Sequence, residues 1–498
     1  MTDRTKHFLT TDLIPIPKSV TINDGEFITL EDGMQLVLQM PDMMDPSCIF
    51  KMLNDDAFQF WKIQFTIQLE PLTETIPEEG YEVEIKADKT ILLKAADTAG
   101  ARYAMRTLRQ LAQVERGVKL FSKYIVPQAK IVDSPDLSFR GIHICWFPET
   151  RAFEIEKMIR LAAYYKYNYI VLEPWGVFPF ECAPFIGWQD KKVPRAEFKR
   201  LIALANSFGI TVIPQLNLNG HATMARVGSE KHATLNFSPE YSSLFEPSGW
   251  CWCLTNPESR KLLTEMVLEL HEFFGRPPYF HAGCDEAYDM ASCVSCAEHD
   301  PADLLQEHLI YFNDLLKAHG ARMMIWHDML LPCDMDWTGY VACGTKENGT
   351  SNLYKTLPKD IIICDWQYCG CVPAREPEFE WASSKFFLDA GFDTMLCPWN
   401  NPPNMISQGR YMATHDGFGL LETTWHTCKG WAFLNMFRTG AIGSWSALNP
   451  EGSKYLAPRR NEARYLREIN TDMGSEHYEE FGDLTDYQIP PFRTQDWV

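Results

Sequence analysis

A regular alternation of short apolar strands and amphipathic helices, from about residue 136 to residue 450, constrains the fold of this chain most strongly. Eight strands are predicted, at residues 139–145, 169–173, 211–216, 279–283, 323–326, 361–366, 393–397 and 420–424. Helices are predicted between them at residues 154–165, 195–208, 258–274, 303–319, 380–390, 405–413 and 430–438, with a weak turn near 353–356. Eight alternations are typical of a (β/α)8 TIM barrel. An open dinucleotide-binding sheet would need a glycine-rich turn after its first strand, and Arg140-Gly141-Ile142-His143 is not one.

The segment before the barrel predicts a small α+β domain over residues 1–135. Short strands are predicted at 62–69, 81–85 and 91–94, followed by a helix at 99–114. The turn-rich stretch Asp133-Ser134-Pro135-Asp136 marks the boundary. The barrel is then assigned to residues 136–450, and residues 451–498 to a C-terminal helical extension and tail. The fold class is therefore α/β, a TIM barrel preceded by a small α+β domain.

The charge balance argues against two classes of partner. The chain carries 66 acidic and 46 basic residues, a formal net charge of −20. Proteins bind nucleic acids and anionic membranes through positive charge of their own, so neither is expected as a partner of this acidic chain. The N-terminus lacks the apolar run of a signal peptide, and no stretch of about 18 apolar residues predicts a membrane span. We therefore expect a cytoplasmic protein whose partner is a small molecule, in an oligomeric state that the sequence leaves open.

The fifteen cysteines do not form a disulfide framework. Their number is odd, and several, such as Cys145, Cys364 and Cys397, fall in predicted core strands. Reduced thiols are the expectation for a chain without an export signal. Cys293 and Cys296 have the Cys-x-x-Cys spacing of half a structural zinc site. Half a site does not predict a metal, so that question stays open and no metal or cofactor is assigned.

Two consecutive carboxylates, Asp285 and Glu286, follow the predicted fourth barrel strand. Side chains on a continuing strand alternate between faces, so both can serve one site only if the chain turns, which Gly283 permits. Adjacent carboxyl groups can be driven to different protonation states, one ionised and one holding a proton for delivery. In isolation such a pair is more often a solvated loop. Its place at the carboxyl end of a barrel strand, where active sites lie, favours catalysis.

Other polar and aromatic residues fall at the same ends of the predicted strands. They are Arg140, Glu173, His221, Trp326, Trp366, Trp399 and Trp425. Any single tryptophan is more often a packing residue, but four at successive strand ends suit the apolar faces of a sugar. The sequence therefore predicts a carbohydrate site around the carboxylate pair.

At this point the chain resembles glycoside hydrolase family 20, the β-N-acetylhexosaminidases. Residues 281–286 match the signature His-x-Gly-Gly-Asp-Glu except at Cys284, which replaces the second glycine. Residues 138–141, 214–221 and 326–328 are similar to the family's segments on the first, third and fifth barrel strands. Residues 80–111 are similar to the small domain that precedes the barrel. The resemblance thus covers nearly the whole chain.

The resemblance implies an exo-acting hydrolase that removes terminal β-linked GlcNAc or GalNAc from an oligosaccharide or glycoconjugate by substrate-assisted, retaining catalysis. Glu286 would be the general acid and base, and Asp285 would orient the acetamido group. It also implies that Arg140 forks onto sugar hydroxyls and that His221, and less directly His281, orient the acid.

Several positions depart from the family pattern. Cys145 stands where an aspartate is usual, and Glu173 lies in an altered second-strand end. Tyr368 is the candidate to replace a tyrosine that is missing near Trp399. The last-strand Trp-x-Glu reads Trp425-His426-Thr427, which predicts tolerance of O4 or O6 modification, including sulfate, unless Glu173 or Glu422 replaces the lost acid.

Two other functions remain open on the sequence. A metal-dependent barrel hydrolase or deacetylase could use Asp285, Glu286, His281 and His221, although more converging histidines would be expected. A non-catalytic sugar-binding relative would keep the tryptophans and discard the acid pair, which this chain retains.

Overall fold

The computed structural model describes residues 13–41, 45–114, 123–223, 234–334, 341–368, 379–425, 430–449 and 465. The described residues form two compact units. The first comprises residues up to Asp136, Tyr164–Lys166 and the described residues from Ala441 onward, and the second comprises the rest. The predicted extension at 451–498 lies outside the described residues except for Tyr465. Among the helices that the structure describes, none has the length and apolar character needed to cross a membrane.

The first unit is an α+β domain built on one mixed sheet. Its elements are β1 (Ser19–Thr29), β2 (Gln35–Met40), α1 (Ser47–Trp61), β3 (Thr66–Pro71), β4 (Tyr81–Ile85), β5 (Ile91–Ala95), α2 (Thr98–Leu111), β6 (Gln113–Val114) and β7 (Tyr124–Asp133). The strand order is β1-β7-β4-β5-β2-β3, with β6 paired to β7. The strand predicted from residue 62 begins only at Thr66, because Lys62 ends α1 in the left-handed conformation. Strands β1, β2, β6 and β7 and helix α1 were not predicted, and the helix predicted at 99–114 ends at Leu111, before β6.

The second unit is a parallel barrel of eight strands, as predicted. They are β8 (Phe139–Trp146), β9 (Tyr169–Pro174), β10 (Thr211–Pro214), β11 (Tyr279–His281), β12 (Arg322–Trp326), β13 (Ile362–Asp365), β14 (Thr394–Leu396) and β15 (Gly419–Thr423). The sheet runs in the order β10-β9-β8-β15-β14-β13-β12-β11. Between β10 and β11, the N–H groups of Leu216 and Leu218 donate to the carbonyls of His281 and Ala282, which completes the ring.

Helices follow most of the barrel strands. They are α3 (Ala152–Tyr164), α4 (Arg195–Ser207), α5 (Thr234–Phe237), α6 (Pro257–Phe273), α7 (Pro301–Ala318), α8 (Ala382–Asp389), α9 (Pro402–Thr414) and α10 (Gly430–Trp445). Short 3₁₀ helices span Pro239–Leu244, Cys296–Glu298, Asp328–Leu330 and Thr350–Lys355. All helices predicted for the barrel are present, and the weak turn near residue 353 is the last of these 3₁₀ helices.

Aromatic side chains fill the amino end of the barrel. Phe139 stacks on Tyr169 with ring centroids 4.3 Å apart, and Tyr279 meets both rings edge-on. Because this end is packed solid, polar side chains are left to gather at the opposite end, where the strands finish and the loops begin.

Candidate active site

The chain turns sharply where β11 ends, and the turn presents both carboxylates. Gly283, Cys284 and Glu286 all have left-handed backbone conformations, with φ of 64°, 69° and 49°. Such conformations are costly for residues other than glycine and persist where the surrounding structure enforces them, often at functional sites. The turn brings Asp285 and Glu286 to one site, as their sequence predicted.

Two glycines allow the chain segments around this turn to approach closely. A Cβ on Gly283 would lie 1.9 Å from the side-chain oxygen of Asn217, and one on Gly220 would lie 2.0 Å from the backbone oxygen of Asp285. Any larger residue at either position would therefore push the segment after β10 away from the segment after β11.

His221 joins the two carboxylates. Its Nε2 lies 3.3 Å from Asp285 Oδ2 and 3.2 Å from Glu286 Oε2. The exposed fractions of His221, Asp285 and Glu286 are 7%, 4% and 7%. A single imidazole nitrogen thus contacts both acids in a region with little water, where charge interactions are strong.

Asp328 lies behind the pair and holds the backbone of Glu286. Its Oδ2 accepts the Glu286 N–H at 2.8 Å, and its Oδ1 accepts the indole N–H of Trp366 at 3.2 Å. Burial, with the negative charge of Asp285, raises the pKa of Asp328 to about 6. Three carboxyl groups therefore share one buried region, which favours retention of a proton among them.

An aromatic wall, defined by Trp326, Trp366, Tyr368, Trp399 and Trp425, lies at the carboxyl ends of strands β12 to β15. The Trp425 indole donates to the Tyr368 hydroxyl at 2.8 Å. The Tyr368 ring stacks on Trp366 at 5.1 Å and meets Trp399 edge-on at 5.4 Å. Trp326 and Trp425 lie 5.7 Å apart. Burial raises the pKa of Tyr368 well above its usual value, and the charge of Asp285 contributes, so Tyr368 lies within electrostatic reach of Asp285.

His281 supports the turn from inside the barrel. Its Nδ1 accepts the backbone N–H of Gly283 at 3.1 Å, and its ring packs on Trp326 at 4.3 Å. His281 is fully buried. The side chain therefore supports both the turn that carries Asp285 and Glu286 and the aromatic wall.

Glu173 lies in a second polar cluster in the barrel interior. Its carboxylate is 3.2 Å from His143 Nε2 and accepts from Asn217 Nδ2 at 3.2 Å and from the Cys145 thiol at 3.6 Å. Glu173 is 3% exposed. Because Asn217 also contacts Gly283, this cluster is linked to the turn that carries Asp285 and Glu286.

Arg140 is not at this site, which corrects the expectation from the sequence. It is the second residue of β8 and therefore lies near the packed amino end of the barrel. Its guanidinium donates to the backbone carbonyls of Leu137 and Ser138, which precede the strand. The neighbouring Phe139 faces the barrel interior, so alternation along the strand turns Arg140 outward.

Sequence reasoning missed several residues of the site. Trp250 donates its indole N–H to the Glu286 carbonyl and packs on His221 at 4.8 Å. His143 packs on Trp425 at 4.8 Å. Trp250 lies in a long connection between predicted strands, where no residue pattern marked the end of a strand. Asp328 belongs to the segment 326–328, which was matched to the family's fifth strand without a role for Asp328.

The last strand does not bring Glu422 to the pocket. Its side chain is fully buried beside Tyr167 and beside Gly440, which belongs to α10. The neighbouring Leu421 faces the barrel interior, so Glu422 faces outward from it. Burial raises the pKa of Glu422 well above its usual value. Glu422 therefore does not replace an acid lost from the last strand. His426 and Thr427 lie outside the described residues.

Comparison with known families gives two matches, one in each part of the chain. The model described as "Glycosyl hydrolase family 20, domain 2" matches residues 10–134, and "Glycosyl hydrolase family 20, catalytic domain" matches residues 192–378. A β-hexosaminidase of Porphyromonas gingivalis is 26% identical over 377 residues, covering 64% of this chain and 45% of that protein. One of Vibrio furnissii is 25% identical over 366 residues, covering 64% and 57%. The chain thus spans about half the length of these curated relatives.

Solved structures agree with this fold. An exo β-N-acetylglucosaminidase from Vibrio harveyi, in complex with N-acetylglucosamine, superposes with a TM-score of 0.67 at 15% identity, covering 93% of this chain and 78% of that one. A β-N-acetylhexosaminidase from Bacteroides fragilis gives 0.63 at 18% identity, covering 94% and 96%. At these identities the likeness establishes the α+β domain and the barrel that follows it.

Proposed function

This chain belongs to glycoside hydrolase family 20, and on that basis we propose that it is an exo-acting β-N-acetylhexosaminidase. Its substrate would be a terminal β-linked GlcNAc or GalNAc on an oligosaccharide or glycoconjugate. The observation that carries the proposal is the buried pair Asp285 and Glu286 with His221 Nε2 within 3.3 Å of both. Two acids in one place can divide the work of charge stabilisation and proton transfer.

Glu286 would act as the proton donor. In the first step it protonates the glycosidic oxygen as the bond to the anomeric carbon breaks and the aglycone leaves as an alcohol. The backbone of Glu286 is held by Asp328 on one side and by Trp250 on the other. This support suits a general acid, whose efficiency depends on its position relative to the leaving oxygen.

The nucleophile would come from the substrate. The carbonyl oxygen of the 2-acetamido group attacks the anomeric carbon and forms a cyclic oxazolinium-like intermediate. Asp285, as a carboxylate, would accept the acetamido N–H and stabilise the positive charge that develops. The hydroxyl of Tyr368 would donate to the acetamido oxygen, while Trp326, Trp366 and Trp425 would pack against the methyl group and the sugar.

Water completes the reaction. Glu286, now a carboxylate, removes a proton from a water molecule as the water oxygen attacks the anomeric carbon. The cyclic intermediate opens, and the acetamido group is regenerated on the sugar. Two displacements at one carbon retain the β configuration. His221, which contacts both carboxyl groups, would keep them in the same relative positions through both steps.

A second candidate rests on the same residues. His221, Asp285 and Glu286 offer ligand atoms within 4.8 Å of one another and could hold a divalent cation, as a metal-dependent hydrolase or deacetylase requires. His281 is not part of this group. One imidazole with two carboxylates is a poor zinc set, so we favour the glycosidase.

Hydrolysis of 4-nitrophenyl 2-acetamido-2-deoxy-β-glucoside and its galacto isomer tests the proposal directly. We expect release of 4-nitrophenol with retention of the β configuration in the sugar product, seen by NMR in the first minutes of reaction. No hydrolysis of either compound by folded protein would reject the assignment, and release of acetate instead of 4-nitrophenol would favour the deacetylase.

A further inference from the structure

Three cysteines that are distant in sequence converge beside the loop that follows the catalytic pair. Cys253 Sγ lies 3.7 Å from Cys293 Sγ and 3.5 Å from Cys296 Sγ. Glu246 completes the group, and one ligand atom from each of the four residues lies within 4.8 Å of all the others. The separations are far longer than a disulfide bond of about 2 Å.

The distances suit a tetrahedral metal. With metal–sulfur bonds of about 2.3 Å, tetrahedral geometry places two thiolate sulfurs roughly 3.8 Å apart. The two measured separations, 3.5 and 3.7 Å, are close to that value. Cys293 and Cys296 also have the Cys-x-x-Cys spacing of structural zinc sites, and Cys253 supplies the third sulfur from a different segment.

The Glu246 carboxylate is a second observation that points to a ligand. It is 1% exposed. Its Oε2 accepts the Cys293 N–H at 2.6 Å and the Ser292 hydroxyl at 3.2 Å. Its Oε1 is buried, and no donor among the residues that the structure describes forms a hydrogen bond with it. A buried carboxylate oxygen without a donor is costly, and a cation would satisfy it.

We propose that Cys253, Cys293, Cys296 and Glu246 bind one structural Zn²⁺ ion, with Glu246 Oε1 as the fourth ligand. Three soft thiolates favour zinc over magnesium or calcium, and four protein ligands leave no open position for catalysis. On binding, the three thiols lose their protons to solvent, together with any proton on Glu246, and the thiolate sulfurs bind the metal, so no redox partner is required.

The surroundings resemble the outer shell of a metal site. The Cys296 N–H donates to Cys293 Sγ at 3.3 Å, and Thr255 Oγ1 lies 3.2 Å from Cys296 Sγ. Such contacts stabilise thiolates and orient them toward a metal.

The ion would couple two loops that frame the active site. Glu246 and Cys253 flank Trp250, whose indole donates to the Glu286 carbonyl, whereas Cys293 and Cys296 lie on the segment that leaves Glu286. Zinc would therefore act as a positioning element for Trp250. This inference is independent of the reaction that Glu286 performs.

Metal analysis of the full-length chain, produced without a histidine tag and desalted, tests the site. We expect about one zinc per chain by mass spectrometry, released by a mercurial thiol reagent. The variants Cys293→Ser and Cys296→Ser should each retain about a tenth or less of the zinc bound by the wild-type protein. Cys333→Ser is the matched control, because Cys333 is an exposed free cysteine, and it should retain zinc. His221→Ala should also retain it, which separates this site from the catalytic cluster.

Cobalt substitution covers the case in which the cysteine variants fail to fold. The wild-type protein stripped of zinc should bind Co²⁺ with thiolate charge-transfer bands and the intense visible bands of tetrahedral coordination. Glu246→Gln should bind cobalt more weakly. Zinc absent from protein made in zinc-supplemented medium, zinc retained by both cysteine variants, or a disulfide between any two of the three cysteines would each overturn the proposal.

Discussion

Asp328 accepts the backbone N–H of Glu286 at 2.8 Å and thereby holds a residue whose φ is 49°. A left-handed glutamate is unfavourable on its own. The hydrogen bond to a carboxylate compensates for it and sets where the Glu286 side chain begins. Asp328 is therefore a positioning residue for the proposed proton donor.

The raised pKa of Asp328 predicts a pH-dependent stability difference. The folded protein holds a proton on Asp328 up to about pH 6, whereas the unfolded chain loses it near 3.8. Stability is therefore lost as pH rises between these values, by roughly 3 kcal/mol at most. Asp328→Asn has no carboxyl group to titrate, so it lacks this loss of stability. Urea unfolding at pH 4 and pH 7 should show the variant gaining stability relative to wild type at the higher pH, and an unchanged difference would contradict the assignment.

Glu286→Gln should fold normally and lose roughly two to four orders of magnitude in turnover on an unactivated disaccharide, the usual contribution of a positioned general acid. A substrate with a very good leaving group needs less protonation, so its first step should be less affected. Single-turnover and steady-state rates on both substrates check this. Activity near wild type on the disaccharide would exclude Glu286 as the acid.

The acetamido group should be indispensable. A thiazoline analogue of GlcNAc is expected to inhibit competitively, because it resembles the cyclic intermediate, and the enzyme should barely hydrolyse aryl β-glucoside, which has a 2-hydroxyl instead. The measurements are an inhibition constant and kcat/KM on paired substrates. Comparable rates on both sugars would refute substrate assistance.

Tyr368→Phe should lower kcat/KM for the GlcNAc substrate by roughly 5- to 100-fold, the cost of one hydrogen bond to a developing charge. The thiazoline inhibitor carries sulfur in place of the acetamido oxygen, and sulfur is a weak acceptor, so its affinity should fall by less than kcat/KM. An unchanged kcat/KM would instead indicate that Tyr368 only accepts from Trp425.

Gly283→Ala should destabilise the protein and reduce activity. The added Cβ would meet Asn217 at 1.9 Å and would sit at a φ of 64°. Gly275→Ala is the matched control, because Gly275 has a φ of 85° with nothing within 4 Å of its Cβ position. The control variant should lose roughly 1–2 kcal/mol in free energy of unfolding, because alanine is disfavoured at a positive φ. Thermal unfolding and turnover of both variants should show a larger loss for Gly283→Ala, and equal losses would mean that the contact with Asn217 is relaxed at little cost.

The sequence alone determined the barrel and the turn that carries Asp285 and Glu286. All eight strands, and the described barrel helices except the four-residue α5, follow from the spacing of apolar residues, which records the faces that must be buried. The turn at Gly283 is similarly local, because a glycine after an apolar strand lets the chain turn and bring the two following acids to the same side. These features depend on neighbours in the chain, so they could be predicted from it.

Only the tertiary structure decided which distant residues meet. Arg140 was assigned to the wrong end of β8, because its place in a motif did not reveal which way the side chain turns. Trp250 reaches Glu286, and Cys253 reaches Cys293 and Cys296, across 36 to 43 residues of chain. Long connections without periodicity leave their paths open, and packing of the whole barrel selects one of them by deciding which polar groups can be buried with partners.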